Sequence, residues 1–431
     1  MRVLMFGWEF PPHISGGLGT ACYGLTKSLS QIEDLEITFV VPKRWGDEDL
    51  PNITFVGADQ VPVISKQIQF DDLKSKIQYY ELHSQLIPYL GTAEYEALKA
   101  EQLATENCLV EVTNEGKFVL GGGYGSTLFY EIKYYTLAAE ALAKELKFDV
   151  IHVHDWMCYQ AGIAAKRVSG KPLVAHIHST EFDRCGKTVN PLICIVEKEG
   201  LMKADKVIAV SELTRSIIVR NYGIDARKTT VIHNAVEAFD YSAVETSKPY
   251  SPDKIVSFLG RITMQKGPGY FVEAAGIVAE KIKNVRFVMA GKGDLLDEMK
   301  RKAAELNLSG YFEFPGFVAD NEISKLFLSS SVFVMPSVSE PFGIVALEAM
   351  QAGVAVIVSR QSGVAEAVKN VVKVDYWDSV GLAEAIVELV ENDKFRKKLA
   401  VKGKAEAHKL LWKHSAAKVY KLYKSLAGKG E

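Results

Sequence analysis

The sequence has few cysteines and none of the spacings that build a disulfide framework or a zinc module. Its five cysteines are an odd number, they are scattered along 431 residues, and no Cys-x-x-Cys pair occurs among them. This pattern argues against small disulfide-stapled folds and against the common zinc-binding modules. We expect reduced thiols at Cys22, Cys108, Cys158, Cys185 and Cys194.

Long apolar runs and an excess of one charge are also missing. No stretch approaches the roughly 18 apolar residues of a membrane-spanning helix, and the apolar start at residues 3–6 is too short for a signal peptide. The 51 basic side chains balance 53 acidic ones, so the concentrated Lys and Arg that neutralise nucleic-acid phosphates are lacking. We expect a soluble cytoplasmic protein without a transmembrane segment or a nucleic-acid partner.

Apolar runs of strand length alternate with helical patterns along most of the chain, whose length favours two domains. In the first half these runs are residues 2–6, 38–41, 150–153, 173–177, 207–210 and 230–232. In the second half they are residues 255–259, 285–290, 312–314, 332–335 and 354–358. The alternation predicts two mainly parallel, doubly wound α/β domains, which we expect to face each other across a cleft.

A polar stretch with two prolines sets the predicted domain boundary. It makes residues 237–254 a linker between a first domain at 1–236 and a second domain at 255–411. Residues from about 60 to 130 are less regular and indicate an insertion or lid, with a helical stretch at 73–90 and a glycine loop at 121–125. A final helix is predicted from about residue 408 to about residue 426.

Two glutamates flank a Pro-Phe-Gly turn, eight residues apart, where a predicted strand gives way to a helix. The helix start would direct backbone N–H groups at an anion such as a diphosphate, and Gly343 would permit close approach. Glu348 could then lie near a ribose, and Glu340 could meet sugar hydroxyls. Taken alone, however, the pair is more typical of an ordinary Glu-Pro helix start with a solvated second glutamate.

Two cations follow the predicted strand at 255–259. Arg261 and Lys266 stand just beyond its end, and ligands of open parallel sheets gather at the carboxyl ends of strands. The two charges are therefore placed to neutralise a departing diphosphate without a metal. For Lys266 alone, a solvated surface charge is the simpler interpretation.

Four histidines form two pairs with strand spacing. His152 and His154 share one face of a strand, and so do His176 and His178. Such pairs invite a metal interpretation, but the spacing ties no third ligand to either pair. We expect hydrogen-bonding or core histidines and no metal.

Together these motifs resemble the retaining glycosyltransferases with the GT-B fold, of the family-four type, whose close relatives are the glycogen and starch synthases. The resemblance covers essentially the whole chain and implies two Rossmann-like domains that use a nucleotide-sugar donor without a metal or other cofactor. It implies that His178 contacts the donor sugar near the reacting centre and that the cations bind the diphosphate. The catalytic residues that it assigns are His178, Arg261, Lys266 and Glu340.

The resemblance also assigns a set of donor-binding positions. Gly16 and Gly17 match the N-terminal glycine loop, and Gly293 lies in a loop that meets the nucleotide. Asn234 takes the interdomain position, where Ala235 follows it instead of the frequent glycine. The complete set is Gly16, Gly17, Asn234, Gly293, Phe342, Gly343, Ile344, Val345 and Glu348.

Acceptor residues are implied by a similarity to the His-Asp-Trp segment of glycogen synthases. Asp155 and Trp156 would lie beside the acceptor or the reacting sugar. Ile14 departs from the bacterial-type synthases, which carry a lysine two residues before the glycine pair. The terminal helix, at about 412–431 and containing Trp412, would pack back on the first domain.

The resemblance implies a hexosyltransferase that moves a glycosyl unit, with glucose expected, from a UDP- or ADP-sugar to a glycan acceptor. A small-molecule acceptor, as in sucrose synthesis, or a lipid-linked acceptor is the alternative. A sugar-nucleotide epimerase of related fold would instead release free sugar and need no acceptor. A non-catalytic glycan-binding relative usually lacks the charged site, which this sequence retains.

Overall fold

The computed structural model describes residues 1–12, 16–62, 120–125, 127–186, 188–244 and 254–428. Most of the predicted insertion, including the helical stretch at 73–90, lies outside these residues, as do Ile14, Cys108 and much of the predicted linker. The chain forms two compact units. Unit 1 comprises Met1–Ile232 with Trp412–Glu431, and unit 2 comprises His233–Leu411.

Unit 1 is built on a parallel sheet. Its strands are β1 Arg2–Phe6, β2 Glu36–Val41, β3 Ile53–Gly57, β4 Val150–His154, β5 Leu173–Ile177, β6 Lys206–Ala209 and β7 Thr229–Val231. In the described part of the unit they follow the order β3-β2-β1-β4-β5-β6-β7, and every pairing is parallel. The strand order therefore reverses between β1 and β4.

Helices cover this sheet. They are α1 Gly17–Leu29, α2 Leu128–Glu145, α3 Trp156–Ser169, α4 Glu181–Cys185, α5 Pro191–Lys203, α6 Glu212–Tyr222 and the terminal helix α14 Trp412–Ala427. Helix α14 packs on α1 at Gly24, where an added Cβ would lie 2.1 Å from the indole Nε1 of Trp412. A glycine in α1 thus makes room for the returning helix.

Unit 2 repeats the architecture with a second parallel sheet. Its strands are β8 Lys254–Leu259, β9 Val285–Ala290, β10 Phe312–Gly316, β11 Val332–Met335, β12 Ala355–Ser359 and β13 Val372–Val374. Their order over the described residues is β10-β9-β8-β11-β12-β13, again with parallel pairings. Here the order reverses between β8 and β11.

The helices of unit 2 are α7 Pro268–Lys281, α8 Leu296–Glu305, α9 Asp320–Ser329, α10 Ile344–Gln351, α11 Gly363–Ala367, α12 Ser379–Glu391 and α13 Asp393–Ala407. Across both units, no described helix combines the length and apolar composition that crossing a bilayer requires.

The predicted strands agree with the observed ones to within about two residues at each end. They were recognisable because strands such as β4, β5 and β12 are buried along their whole length and so consist mainly of apolar residues. Strands β3 and β13 were not predicted, because they lie at sheet edges and are only partly buried.

The terminal helix begins at Trp412, which is the start given by the family resemblance and lies four residues after the start given by the sequence pattern. The preceding residues form a turn after α13, and beyond it the N–H of Val236 donates to the carbonyl of Leu410 at 3.0 Å and Val236 forms a parallel bridge with Leu411. Because of these backbone bonds, residues 408–411 do not form the first turn of the terminal helix that the sequence pattern predicts.

Candidate donor site and histidine cluster

The loop after β8 carries the two predicted cations at the reversal point of the unit 2 sheet. Its 3-10 turn, Met264–Lys266, ends at Gly267, which has φ of 67° and precedes Pro268 at the start of α7. A Cβ on Gly267 would lie 2.1 Å from the carbonyl oxygen of Pro336. This close approach joins the loop after β8 to the loop after β11.

Lys266 and Glu340 form an ion pair between these two loops. The Nζ of Lys266 lies 2.5 Å from Oε2 of Glu340, with side-chain exposures of 21% and 8% respectively. The hydroxyl of Ser337 donates to the same carboxylate oxygen at 3.2 Å. The structure thus brings two sequence-predicted catalytic residues into contact.

The backbone of Glu340 is hydrogen-bonded to a third segment, residues 361–363. Its N–H donates to the carbonyl of Gln361, and its carbonyl accepts from the N–H of Gly363, both at 2.9 Å. Glu340 also forms a parallel bridge with Ser362. The carboxylate that holds Lys266 therefore stands on a rigid segment.

Arg261 is connected to the same loops through Gln265. The Nη2 of Arg261 donates to Oε1 of Gln265 at 3.1 Å, and Nε2 of Gln265 donates to the carbonyl of Ser339 at 3.1 Å. The carbonyl of Gln265 accepts from the N–H of Val338 at 2.8 Å. Gln265 is buried and was not predicted, because neither its residue type nor its spacing indicates this bridging position.

The Pro-Phe-Gly turn requires its glycine for two reasons. Gly343 has φ of 104°, and a Cβ there would lie 2.7 Å from Cε of Met335 and 3.3 Å from Cγ of Glu340. Phe342 is 2% exposed, and its ring centroid lies 5.8 Å from that of His233. Phe342 therefore packs inside unit 2 and anchors the turn.

Helix α10 begins directly after this turn. Its first residues, Ile344 and Val345, are half-buried, and a helix start leaves N–H groups and partial positive charge for an anion. Glu348 is also half-buried on this helix, and its carbonyl accepts from the hydroxyl of Tyr241 at 3.1 Å. The two predicted glutamates thus lie on one connected loop and helix.

Gly293 and Asn234 occupy different surroundings. A Cβ on Gly293 would lie 2.2 Å from the carbonyl oxygen of Ile262, so this glycine lets the loop after β9 rest on the loop after β8. Asn234 lies near the start of unit 2 and is 6% exposed. Its Oδ1 has no hydrogen-bond partner within the described part of the chain.

In unit 1, the predicted glycine loop is closed by a carboxylate. The N–H groups of Gly16 and Gly19 donate to Oε2 of Glu9 at 3.2 and 2.9 Å, and the hydroxyl of Tyr124 contacts its other oxygen. Gly16 and Gly17 lie at the start of α1, where a negative charge is stabilising. Glu9 was not predicted, because its partners are ten or more residues away in two of these three contacts.

Asp155 joins the carboxyl ends of β4 and β5. Its N–H donates to the carbonyl of His176 at 2.9 Å, and its Oδ1 accepts from the N–H of His178 at 2.6 Å. Burial raises the pKa of Asp155 to about 7, although the bond from His178 opposes this shift. Trp156 is 1% exposed, with its ring centroid 5.9 Å from that of Phe129. Contact of these residues with an acceptor stays a prediction.

Four histidines cluster beside this junction. Ring centroids are separated by 4.4 Å between His152 and His154 and by 4.2 Å between His176 and His178. The two pairs are brought together because His154 lies opposite His176 in the parallel register of β4 and β5. Burial lowers the pKa of both His152 and His178 to about 3. Burial also lowers the pKa of His154 and of His176. All four rings are therefore neutral at neutral pH.

A buried ion pair supports the loop that follows His178. Arg184 contacts Oε1 of Glu197 at 2.6 Å and Oε2 of Glu181 at 3.1 Å, and it donates to the carbonyl of Ser179 at 3.0 Å. Burial raises the pKa of Glu197, and the charge of Arg184 opposes that rise. This network was not predicted, because it joins side chains of two successive helices, α4 and α5.

Comparison with known proteins identifies families for both units. Residues 243–406 match the family described as "Glycosyl transferases group 1", and residues 111–238 match "Glycosyltransferase Family 4". An uncharacterised glycosyltransferase of Methanocaldococcus jannaschii is 27% identical, with 98% of each chain covered. The alpha-maltose-1-phosphate synthase of Mycolicibacterium smegmatis is 30% identical over 64% of this chain and 79% of that protein.

Solved structures show the same architecture. The sucrose-phosphate synthase of Thermosynechococcus elongatus superposes with a TM-score of 0.71 at 18% identity, covering 100% of both chains. Two Rossmann-like parallel-sheet units with such a neighbour confirm the predicted GT-B fold. The chain therefore belongs to the group 1 glycosyltransferases, a family of sugar-transferring enzymes.

Proposed function

We propose that this glycosyltransferase is a retaining, metal-independent hexosyltransferase that moves glucose from UDP-glucose or ADP-glucose to a hydroxyl of a glycan. The observation that carries the proposal is the Lys266–Glu340 ion pair at 2.5 Å. It lies at the reversal point of the unit 2 sheet, the place where open α/β sheets bind their ligands. A cation held there by a rigid carboxylate suits recognition of a nucleoside diphosphate.

Unit 2 would supply the electrostatic part of the reaction. As the bond between the sugar carbon and the diphosphate oxygen breaks, negative charge grows on the diphosphate. Arg261 and Lys266 would stabilise this charge, helped by the N–H groups at the start of α10. Glu340 would orient Lys266 and accept hydrogen bonds from sugar hydroxyls.

Unit 1 would act on the sugar and the acceptor. His178 is 7% exposed and its Nδ1 has no partner among the residues described, so it can hydrogen-bond a donor sugar as a neutral ring. Asp155 fixes its backbone. Gly16 and Gly17 would lie beside the donor once an anion competes with Glu9 for the start of α1. The proposal assigns no covalent nucleophile.

A second acceptor class is favoured by the compared proteins. The names of the maltose-1-phosphate and sucrose-phosphate synthases both describe glucose-containing sugar phosphates. A small sugar phosphate is therefore the alternative acceptor for the same transfer. The donor half of the site would be used identically in either case.

The test is transfer of labelled glucose from UDP-glucose and ADP-glucose, separately, to glycogen, to hexose phosphates and to buffer alone. The proposal predicts acceptor-dependent incorporation from one of the two donors in the presence of a chelator. Incorporation only into hexose phosphates would support the alternative acceptor. Release of free sugar without any acceptor, or no turnover of either donor, would contradict the proposal.

A further inference from the structure

We propose that His152, His154 and His176 form a buried binding site for a divalent transition-metal ion of the Zn²⁺ type within unit 1. Each residue offers one ring nitrogen, and these three atoms lie within 4.8 Å of one another. All three side chains are at most 1% exposed. The third ligand that the sequence spacing did not supply comes from strand pairing, because β5 places His176 opposite His154.

A packed core alone leaves several ring nitrogens of these three histidines without hydrogen-bond partners among the described residues. The Nε2 atoms of His152 and His154 and both nitrogens of His176 lack hydrogen-bond partners among the described residues. Leaving a buried polar group unpaired is unfavourable. Neutral imidazole nitrogen is a preferred ligand of Zn²⁺, Cu²⁺ and Ni²⁺, so an ion of this class would satisfy several of these atoms together.

Two of the three rings, those of His152 and His154, also have a hydrogen-bond partner at Nδ1. The Nδ1 of His152 lies 2.5 Å from the hydroxyl oxygen of Tyr423, and Nδ1 of His154 lies 3.0 Å from Nε2 of His178. Metal-binding histidines commonly use their second nitrogen in this way, which fixes ring orientation and tautomer. When Nδ1 carries the proton, Nε2 presents its lone pair to a metal.

A second, overlapping group consists of Cys22, His154 and His178. In this group His154 and His178 are already bonded to each other, so a metal bound to both through the bonded atoms would have to break that contact. Among the described residues, no hydrogen bond joins the rings of His152, His154 and His176 to one another. We therefore assign the ion to the first group.

An ion at this position would be structural. It would link β4 to β5 and, through Tyr423, connect the sheet to α14. It takes no part in the proposed sugar transfer, for which the cations of unit 2 stabilise the leaving group. The donor proposal therefore stands or falls independently of this site.

The experiment uses the full-length chain without an affinity tag, produced in medium containing Zn²⁺ and exchanged into metal-free buffer. Bound zinc is measured by plasma mass spectrometry, and affinity by competition with a chromophoric chelator. We expect stoichiometric zinc in the wild type and in His414→Gln, which changes an exposed histidine of α14, and loss of zinc in His176→Gln.

Tyr423→Phe serves as a second variant because it keeps all three ligands and removes only the contact behind His152. We expect its zinc affinity to fall by about 10- to 100-fold. Absence of zinc from the wild type, or equal zinc in the wild type and His176→Gln, would overturn the proposal. If His176→Gln does not fold, unchanged affinity in Tyr423→Phe overturns it.

Discussion

Lys266 and Glu340 come from loops 74 positions apart in the sequence, yet their charged atoms lie 2.5 Å from each other. The pair joins the loop after β8 to the loop after β11, on either side of the point where the strand order of unit 2 reverses. Because Glu340 is bonded along its backbone to Gln361 and Gly363, the lysine is held on a fixed support. The positive charge of Lys266 would therefore already be oriented when a substrate anion binds.

Lys266→Ala should lower turnover by about 100- to 1,000-fold, the usual effect of removing one group that stabilises developing negative charge. The assay is initial-rate transfer from the active nucleotide-glucose. Lys300→Ala is the matched control, because Lys300 is an exposed lysine on α8 paired with Asp297. It should retain wild-type rates, and near-normal transfer by Lys266→Ala would refute the assigned role.

Gly343→Ala should lose both stability and activity. The residue has φ of 104°, and the new methyl group would lie 2.7 Å from Cε of Met335. Backbone strain of this kind costs about 1–3 kcal/mol, and relief would displace the start of α10. Denaturant unfolding measures the loss of stability. Nucleotide binding measures the effect of displacing the start of α10. Gly310→Ala, in open space, should change neither; equal behaviour of the two variants contradicts the account.

Arg184→Met should destabilise unit 1 by about 3–5 kcal/mol at neutral pH, because it leaves the buried charge of Glu197 uncompensated. Arg184 and Glu197 have side-chain exposures of only 5% and 0%. Arg220→Met, at an exposed position of α6, is the control and should alter the unfolding free energy little. The measurement is urea unfolding monitored by circular dichroism.

The penalty of Arg184→Met should also depend on pH. A glutamate whose folded pKa is raised contributes stability below its unfolded pKa, and that contribution is lost as pH rises through the folded pKa. Removing Arg184 raises the pKa of Glu197 further, so the variant's deficit should be larger at about pH 8 than at about pH 5. A deficit that is constant or shrinks with pH would exclude this explanation.

Gly24→Ala should loosen the terminal helix α14. The added methyl group would meet the indole of Trp412 at 2.1 Å, and overpacking of this kind costs about 1–3 kcal/mol. Combining it with Trp412→Leu removes the clash, so the double variant should lose less than the sum of the two single changes. Additive losses, measured by thermal unfolding, would show that the contact does not limit stability.

The fold was largely predictable because its central strands are buried on both faces. The segments around Val153, Ile177 and Val356 are mainly apolar, whereas the edge strands β3 and β13 are only partly buried and were missed. The position at which the terminal helix α14 begins also depended on a backbone bridge between Val236 and Leu411. Pairing of distant segments leaves no local pattern in the sequence.

The candidate site divides in the same way. Arg261, Lys266 and Gly343 could be proposed from the sequence because their positions follow strands and turns that the sequence marks clearly. Gln265 and Glu9 were missed because their roles consist of hydrogen bonds to groups brought near only by folding. The histidine pairs were visible, but their meeting required the register between β4 and β5.

The central claim is tested most directly by following the anomeric protons in an NMR spectrum while the enzyme transfers glucose from its α-linked nucleotide donor. The account predicts an α-linked product that forms only with an acceptor present, at a rate that falls about 100-fold or more in Lys266→Ala. A β-linked product, acceptor-independent release of glucose, or an unchanged rate in Lys266→Ala would contradict it.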